Sequence, residues 1–200
     1  MAGQGAGKRR YDPKRRVEEI TAATEQVIAE RGIEGLTHRA VAERAGVPLG
    51  ATTYHFATKD DLITAALQRA VDRYAAYLTD WVAQRPDLSP GQLAVLLTDV
   101  LMGCFGPQRD QQVMEFELYL AALRRPALRP IADRFIELSV DALRPYVDEV
   151  TARTAAVATN GLTLQGLAGT TPPSRGEVED ILRRILTPNP NLPFPAPLGT

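Results

Sequence analysis

Apolar residues recur every three or four positions from Val17 to Leu186, and the pattern breaks wherever glycine and proline gather. That period is helical, so the chain reads as all-α with about nine helices. Asp12-Pro13 opens the first helix with a capping acid and a proline at its first position. Val17, Ile20, Val27 and Ile28 form its stripe, expected to pack on Leu36, Val41, Val47, Phe56 and Leu62, with Glu18, Glu19, Glu25 and Glu30 on the far face. A long helix then runs from Thr58 to about Gln84, its stripe including Leu62, Leu67, Tyr74, Tyr77, Leu78 and Trp81. It is long enough to carry movement from one domain to the next.

Ser89-Pro90-Gly91-Gln92 and Ser174-Arg175-Gly176-Glu177 each place a hydroxyl three residues before an amide or carboxylate, the reciprocal cap of a helix start. Between them lie a helix ending near Cys104, a second over about 108–125, a third begun by Pro126 and Pro130, and a small-residue helix over about 151–169. In that last helix Gly161 and Gly166 each cost about 1 kcal/mol against alanine, so it needs tertiary or partner contacts.

The stretch Leu36 to Leu62 organises the chain. Thr37 caps a short helix, Ala45-Gly46-Val47-Pro48 cannot continue it, and a second short helix follows over about Leu49 to Phe56. Two short helices around a glycine turn are the helix-turn-helix pattern, whose second helix can lie in a DNA major groove. Leu49, Gly50, Ala51 and Thr53 are small or uncharged and let a backbone approach base edges, while Tyr54, His55 and Lys59 offer donors to phosphates. No carboxylate lies between Ala45 and Thr58 to repel DNA. The plainer reading is a helical hairpin with a solvated polar face.

Net charge is −1, so any affinity for nucleic acid must come from local clustering. All three lysines, Lys8, Lys14 and Lys59, lie in the first sixty residues. The first eleven residues read as a basic arm suited to phosphate contact or to a minor groove. The single cysteine, Cys104, rules out an internal disulfide and a thiolate metal cage. It reads as a buried small hydrophobe. No apolar run is long enough to span a membrane, and the start lacks the apolar core of a signal peptide, which together point to a cytoplasmic protein. The domains expected are 1–57 (arm and helix-turn-helix), 58–187 (helical) and 188–200 (a proline-rich tail).

Thr37-x-Arg39-x-Val41-Ala42-x-x-Ala45-Gly46-Val47, then Gly50-x-x-x-Tyr54-His55-Phe56-x-x-Lys59-x-x-Leu62, resembles the DNA-binding domain of tetracycline-repressor (TetR) family regulators, without gaps from about Val17 to Leu67. The resemblance implies Thr37 and Arg39 near the DNA, with His38 between them. It also implies Leu49, Gly50, Ala51 and Thr53 near bases, and Tyr54, His55 and Lys59 on the backbone. Two positions depart from the family pattern: many members carry an apolar residue at Thr52 and an aromatic at Thr53. For the second half the resemblance implies an effector pocket and a homodimer interface on the last two helices, here Val157, Leu162, Leu164, Leu167, Val178, Ile181, Leu182 and Ile185. A twofold dimer suits a palindromic operator in double-stranded DNA.

Met102, Phe105, Met114, Phe116, Tyr119, Leu120, Leu123 and Phe135 are candidates to line a cavity for a small apolar or aromatic effector. A stripe of this kind is also ordinary core. Glu115 and Glu117 lean to opposite faces of one helix, so at most one points inward. The function expected is a ligand-responsive regulator of transcription, a repressor, that needs no cofactor. The alternative is an architectural DNA-binding protein without a ligand, which suits a more basic chain and leaves the apolar second half unused. An enzyme fits badly. Both histidines lie in the DNA motif, two of the three serines are helix caps, and no metal-spaced cluster or phosphate-cradling glycine loop appears.

Overall fold

The structure, a computed structural model, describes residues 12–187. The basic arm over 1–11 and the tail from Pro188 lie outside the described residues. Among those described, the regular elements are nine α-helices and one 3-10 turn. Packing divides the described chain inside its longest helix, between Ala66 and Leu67.

The first unit holds α1 (Pro13–Arg31), α2 (His38–Ala45), α3 (Leu49–His55) and the start of α4 (Lys59–Ala83). Asp12 caps α1, its Oδ1 accepting from the Lys14 and Arg15 amides at 3.1 and 3.3 Å. Ile20, Val27, Ile28, Leu36, Val41, Phe56 and Leu62 are buried together in the unit's interior. Glu25 corrects the expected far face of α1: it is buried at the edge of the stripe, one turn from both Thr21 and Ile28. Thr52 is fully buried, and its hydroxyl donates to the Leu49 carbonyl of its own helix at 2.8 Å. An internal bond of this kind lets a hydroxyl occupy an apolar site.

The α2–α3 turn depends on backbone chemistry. Gly46 sits at φ +64°, and the Val47 amide donates to the Ala42 carbonyl at 3.0 Å, which closes the helix end. Thr58 and Asp61 then cap α4 reciprocally, with the Asp61 amide donating to Thr58 Oγ1 at 3.1 Å and the Thr58 amide to Asp61 Oδ2 at 2.8 Å.

The second unit adds α5 (Pro90–Cys104), α6 (Arg109–Ala121), α7 (Arg129–Leu143), α8 (Glu149–Ala168) and α9 (Arg175–Leu186). Pro126 does not open α7 but a separate 3-10 turn, Pro126–Leu128, and Pro130 falls in the first turn of α7. A core of Trp81, Leu93, Leu101, Val140, Leu143, Val178, Leu182 and Leu186 joins α4, α5, α7 and α9. Ala152, Ala155 and Ala156 bring α8 close to it.

The inner row of α9 is Val178, Leu182 and Leu186, all buried inside the subunit. This corrects the expected dimer face at Val178 and Leu182. Spacing of i, i+4, i+8 fits a helix to its own core as readily as to a partner. Leu162 and Ile185 are partly buried against the same core, and Leu167 is half-buried. The outward large apolar residues of α8 and α9 are Val150, near the start of α8, and Val157, Leu164 and Ile181.

Candidate functional site

Two features stand out, one in each unit. In the first, α3 presents Leu49, Gly50, Thr53 and Tyr54 outward, and Tyr54 is 80% exposed. Ala51 and His55 are half-buried, and the His55 ring meets Tyr54 edge-on with centroids 5.0 Å apart. Thr53 Oγ1 lies 3.3 Å from the Gly50 carbonyl, so it leaves its own helix only by exchanging that bond. Thr37 and Arg39 are exposed, although the Thr37 hydroxyl already accepts from the Ala40 amide at 3.1 Å.

Two predicted residues are engaged elsewhere. His38 is half-buried, with Nε2 2.9 Å from the carbonyl oxygen of Phe56, so it ties α2 to the end of α3. Lys59 is half-buried, and its Nζ donates to the Glu34 carbonyl at 3.5 Å. Among the nearby cations, Arg44 is paired with Glu30.

The second unit encloses a cavity of about 630 Å³ walled by α4, α5, α6, α7 and α8. Of the residues expected there, Phe116, Tyr119 and Phe135 line it. Met102 and Phe105 pack instead on the helical core, Met114 is buried, and Leu120 and Leu123 face out, Leu123 at 74% exposure. Helical spacing marks one face of α6 and cannot say which of two neighbouring faces meets a cavity. Of the two glutamates on α6, Glu115 is the buried one, and it lines the cavity.

The cavity's aromatic wall comes largely from α4, whose Tyr74, Tyr77 and Trp81 are marked in the sequence only as part of its stripe. Tyr77, Tyr74 and Phe135 form a stack, with centroids 6.5 and 4.9 Å apart and planes within 17° and 19°. Tyr119 meets Phe135 edge-on at 6.3 Å. Trp81 also lines the cavity. The Tyr74 hydroxyl and Ser139 Oγ share a hydrogen bond at 2.8 Å. Burial pushes the Tyr74 phenol up to about 12, against a smaller lowering by Ser139, and burial also raises the Cys104 thiol to about 11. Both are neutral in ordinary conditions.

The lining also has a polar edge. Glu115 Oε1 accepts from Arg73 Nη2 at 3.0 Å and Gln111 Nε2 at 2.9 Å, and its Oε2 accepts from Gln112 Nε2 at 3.1 Å. The other acid in the lining, Asp99, pairs with Arg175 at 2.6 Å. A sequence signal for this edge existed: Gln108, Gln111, Gln112, Glu115 and Tyr119 recur at helical spacing along one face of α6. No group that could hold a metal ion occurs among the described residues. No helix among them is long and apolar enough to cross a membrane.

A helix-turn-helix unit in one chain with a cavity-bearing helical unit defines a class of bacterial regulators. Residues 20–66 match the family described as "Bacterial regulatory proteins, tetR family". Residues 88–188 match the "Tetracyclin repressor-like, C-terminal domain". The multidrug binding protein EbrR, solved with ethidium, is 40% identical, with 85% of this chain and 98% of that one covered and a TM-score of 0.75. EbrR has also been solved with proflavin and with malachite green. SCO7518 from Streptomyces coelicolor A3(2) is 32% identical, with coverage of 86% and 99% and a TM-score of 0.76. The HTH-type transcriptional regulator PksA of Bacillus subtilis (strain 168) is 29% identical over 113 residues, which is 56% of this chain. The chain spans about half of PksA's length, 52%. The chain belongs to the tetracycline-repressor (TetR) family of bacterial regulatory proteins.

Proposed function

We propose that this protein is a ligand-responsive transcriptional repressor that binds a palindromic operator as a homodimer and leaves it when an aromatic cation fills the cavity of the second unit. The observation that carries the ligand class is the pairing, in one cavity, of an aromatic stack with the buried carboxylate of Glu115. Flat aromatic walls favour a planar ring system, and a buried carboxylate favours a positive one. EbrR, bound to ethidium and proflavin in its crystal structures, supports the same class.

On the DNA side, the outward face of α3 (Leu49, Gly50, Thr53, Tyr54) enters the major groove, and Arg39 reaches a phosphate. Two copies pair through Val157, Leu164 and Ile181 on α8 and α9. Release requires only that the ligand favour a second subunit arrangement by about 1–3 kcal/mol.

The test is fluorescence anisotropy with labelled inverted-repeat duplexes selected from a random pool. The expected result is tight binding to one palindrome, a steep salt dependence, weakening by Arg39→Ala, and release on adding ethidium. Equal affinity for random duplex, with no response to ethidium, would overturn the reading.

A further inference from the structure

The cavity already contains a cation. Arg73 of α4 lines it and donates to Glu115, so the carboxylate that makes the site attractive to a positive ligand is neutralised before any ligand arrives. A second cation brought beside Glu115 meets the guanidinium as a like charge at close range in a poorly solvated space.

The two partners differ in their exposure to water. The Glu115 side chain is 10% exposed and is held by Gln111 and Gln112 as well as by Arg73. The Arg73 side chain is 36% exposed, and its Nη2 donates to the carboxylate. Its long stem can carry the head to water while the carboxylate stays, still bound by two neutral amides. The remaining acid of the lining, Asp99, is paired with Arg175, so Glu115 is the carboxylate in question.

We propose that ligand recognition here is a counterion exchange: an aromatic cation enters by displacing the Arg73 guanidinium from Glu115, and Arg73 thereby sets the affinity threshold and the charge selectivity of the cavity. This rests on the function proposed above and names the residue of this chain that competes with the ligand. Arg73 is a specificity-determining residue, and its position on α4 places the displaced group on the helix that begins at the Thr58 cap.

The experiment uses the full-length protein, with ethidium and the uncharged phenanthridine that lacks its N-ethyl group as probes, followed by calorimetry at pH 8. Arg73→Met is expected to bind ethidium about tenfold tighter than wild type, because the competing cation is gone and an unpaired carboxylate remains. The neutral probe should bind both forms alike. Arg73→Lys should return ethidium affinity towards the wild-type value, and Glu115→Gln should lose about tenfold or more for ethidium while keeping the neutral probe. Should Arg73→Met fold poorly, Arg73→Gln and the ethidium-dependent rise in melting temperature of each variant give the same comparison. Unchanged or weaker ethidium binding in both Arg73 variants, with the wild type binding normally, overturns the exchange alone. A wild type that ignores both probes overturns the ligand class itself and the exchange with it.

Discussion

Phe105 lies across Gly166, and at this contact one absent methyl decides how α5 and α8 fit. A Cβ at Gly166 would fall 2.3 Å from Phe105 Cε1 and 2.5 Å from Cζ, with Pro173 Cδ at 3.0 Å behind. The added methyl has Phe105 on one hand and Pro173 on another, so the ring must shift to admit it. Gly166→Ala is therefore expected to destabilise the protein by about 1–3 kcal/mol despite the better helix propensity of alanine. The urea midpoint should fall, and Phe105→Leu in the same background should recover part of it. A Gly166→Ala variant as stable as wild type would show that the ring moves freely.

This pairing explains why Phe105 was misread from sequence, since its partner is 61 positions away and leaves no local signal. Cys104, beside it, was legible as a buried small residue. Its thiol lies 3.3 Å from the Val100 carbonyl, and burial raises it from 9.0 to about 11. The unfolded thiol ionises at lower pH than the folded one. Its effect on stability is thus nil below about pH 9 and becomes a loss as pH rises towards 11. In labelling with a thiol reagent at pH 8, the folded protein should react far more slowly than the protein unfolded in guanidinium. Equal rates would contradict the assigned burial.

At the scale of elements, what was legible was whatever acts across three or four residues. The caps at Asp12, Thr37, Ser89 and Ser174 all form as the sequence implied, because each needs only a short side chain and the next turn's amide. What was not legible was which face a helix turns to which neighbour. Glu25 sits on the edge of an amphipathic stripe and Val178 in the inner row of another, and a stripe has the same period whether it meets its own core or a partner.

The caps also give the second unit an acid response. The Ser174 amide and hydroxyl hold the Glu177 carboxyl below its ordinary 4.5. The Thr151 hydroxyl and amide do the same for Asp148, and Arg144 does so for Glu149. Folding lowers these values, so the unfolded chain binds more protons as acid is added. Their stabilisation is complete above about pH 4.5 and is lost as pH falls through the folded values. Melting temperature should therefore drop as pH falls below about 4.5, and Glu177→Gln should make that drop shallower in circular-dichroism melts. Identical pH profiles for the two proteins would remove Glu177 from the account.

At the scale of the molecule, the question is what covers Val157, Leu164 and Ile181, which stand on the outer faces of α8 and α9 at 56%, 38% and 39% exposure. Exposed apolar side chains scattered singly need no explanation, but Val157 and Leu164 share one face of α8 two turns apart and α9, packed on α8, adds Ile181, and these three are the candidate patch. In a twofold dimer each patch meets its own copy, so one substitution enters the interface twice. Val157→Glu together with Ile181→Glu would then set like charges against one another in a dehydrated seam. We expect the double variant to sediment as a monomer with unchanged helical content, to keep ethidium binding, and to lose the inverted-repeat duplex, which needs two linked recognition helices. Val178→Glu serves as the contrast, because that residue is fully buried in the subunit and its replacement should cost the fold itself. A double variant that stayed dimeric would move the interface off this face. One that became monomeric and still held the palindrome at full strength would separate dimerisation from DNA recognition.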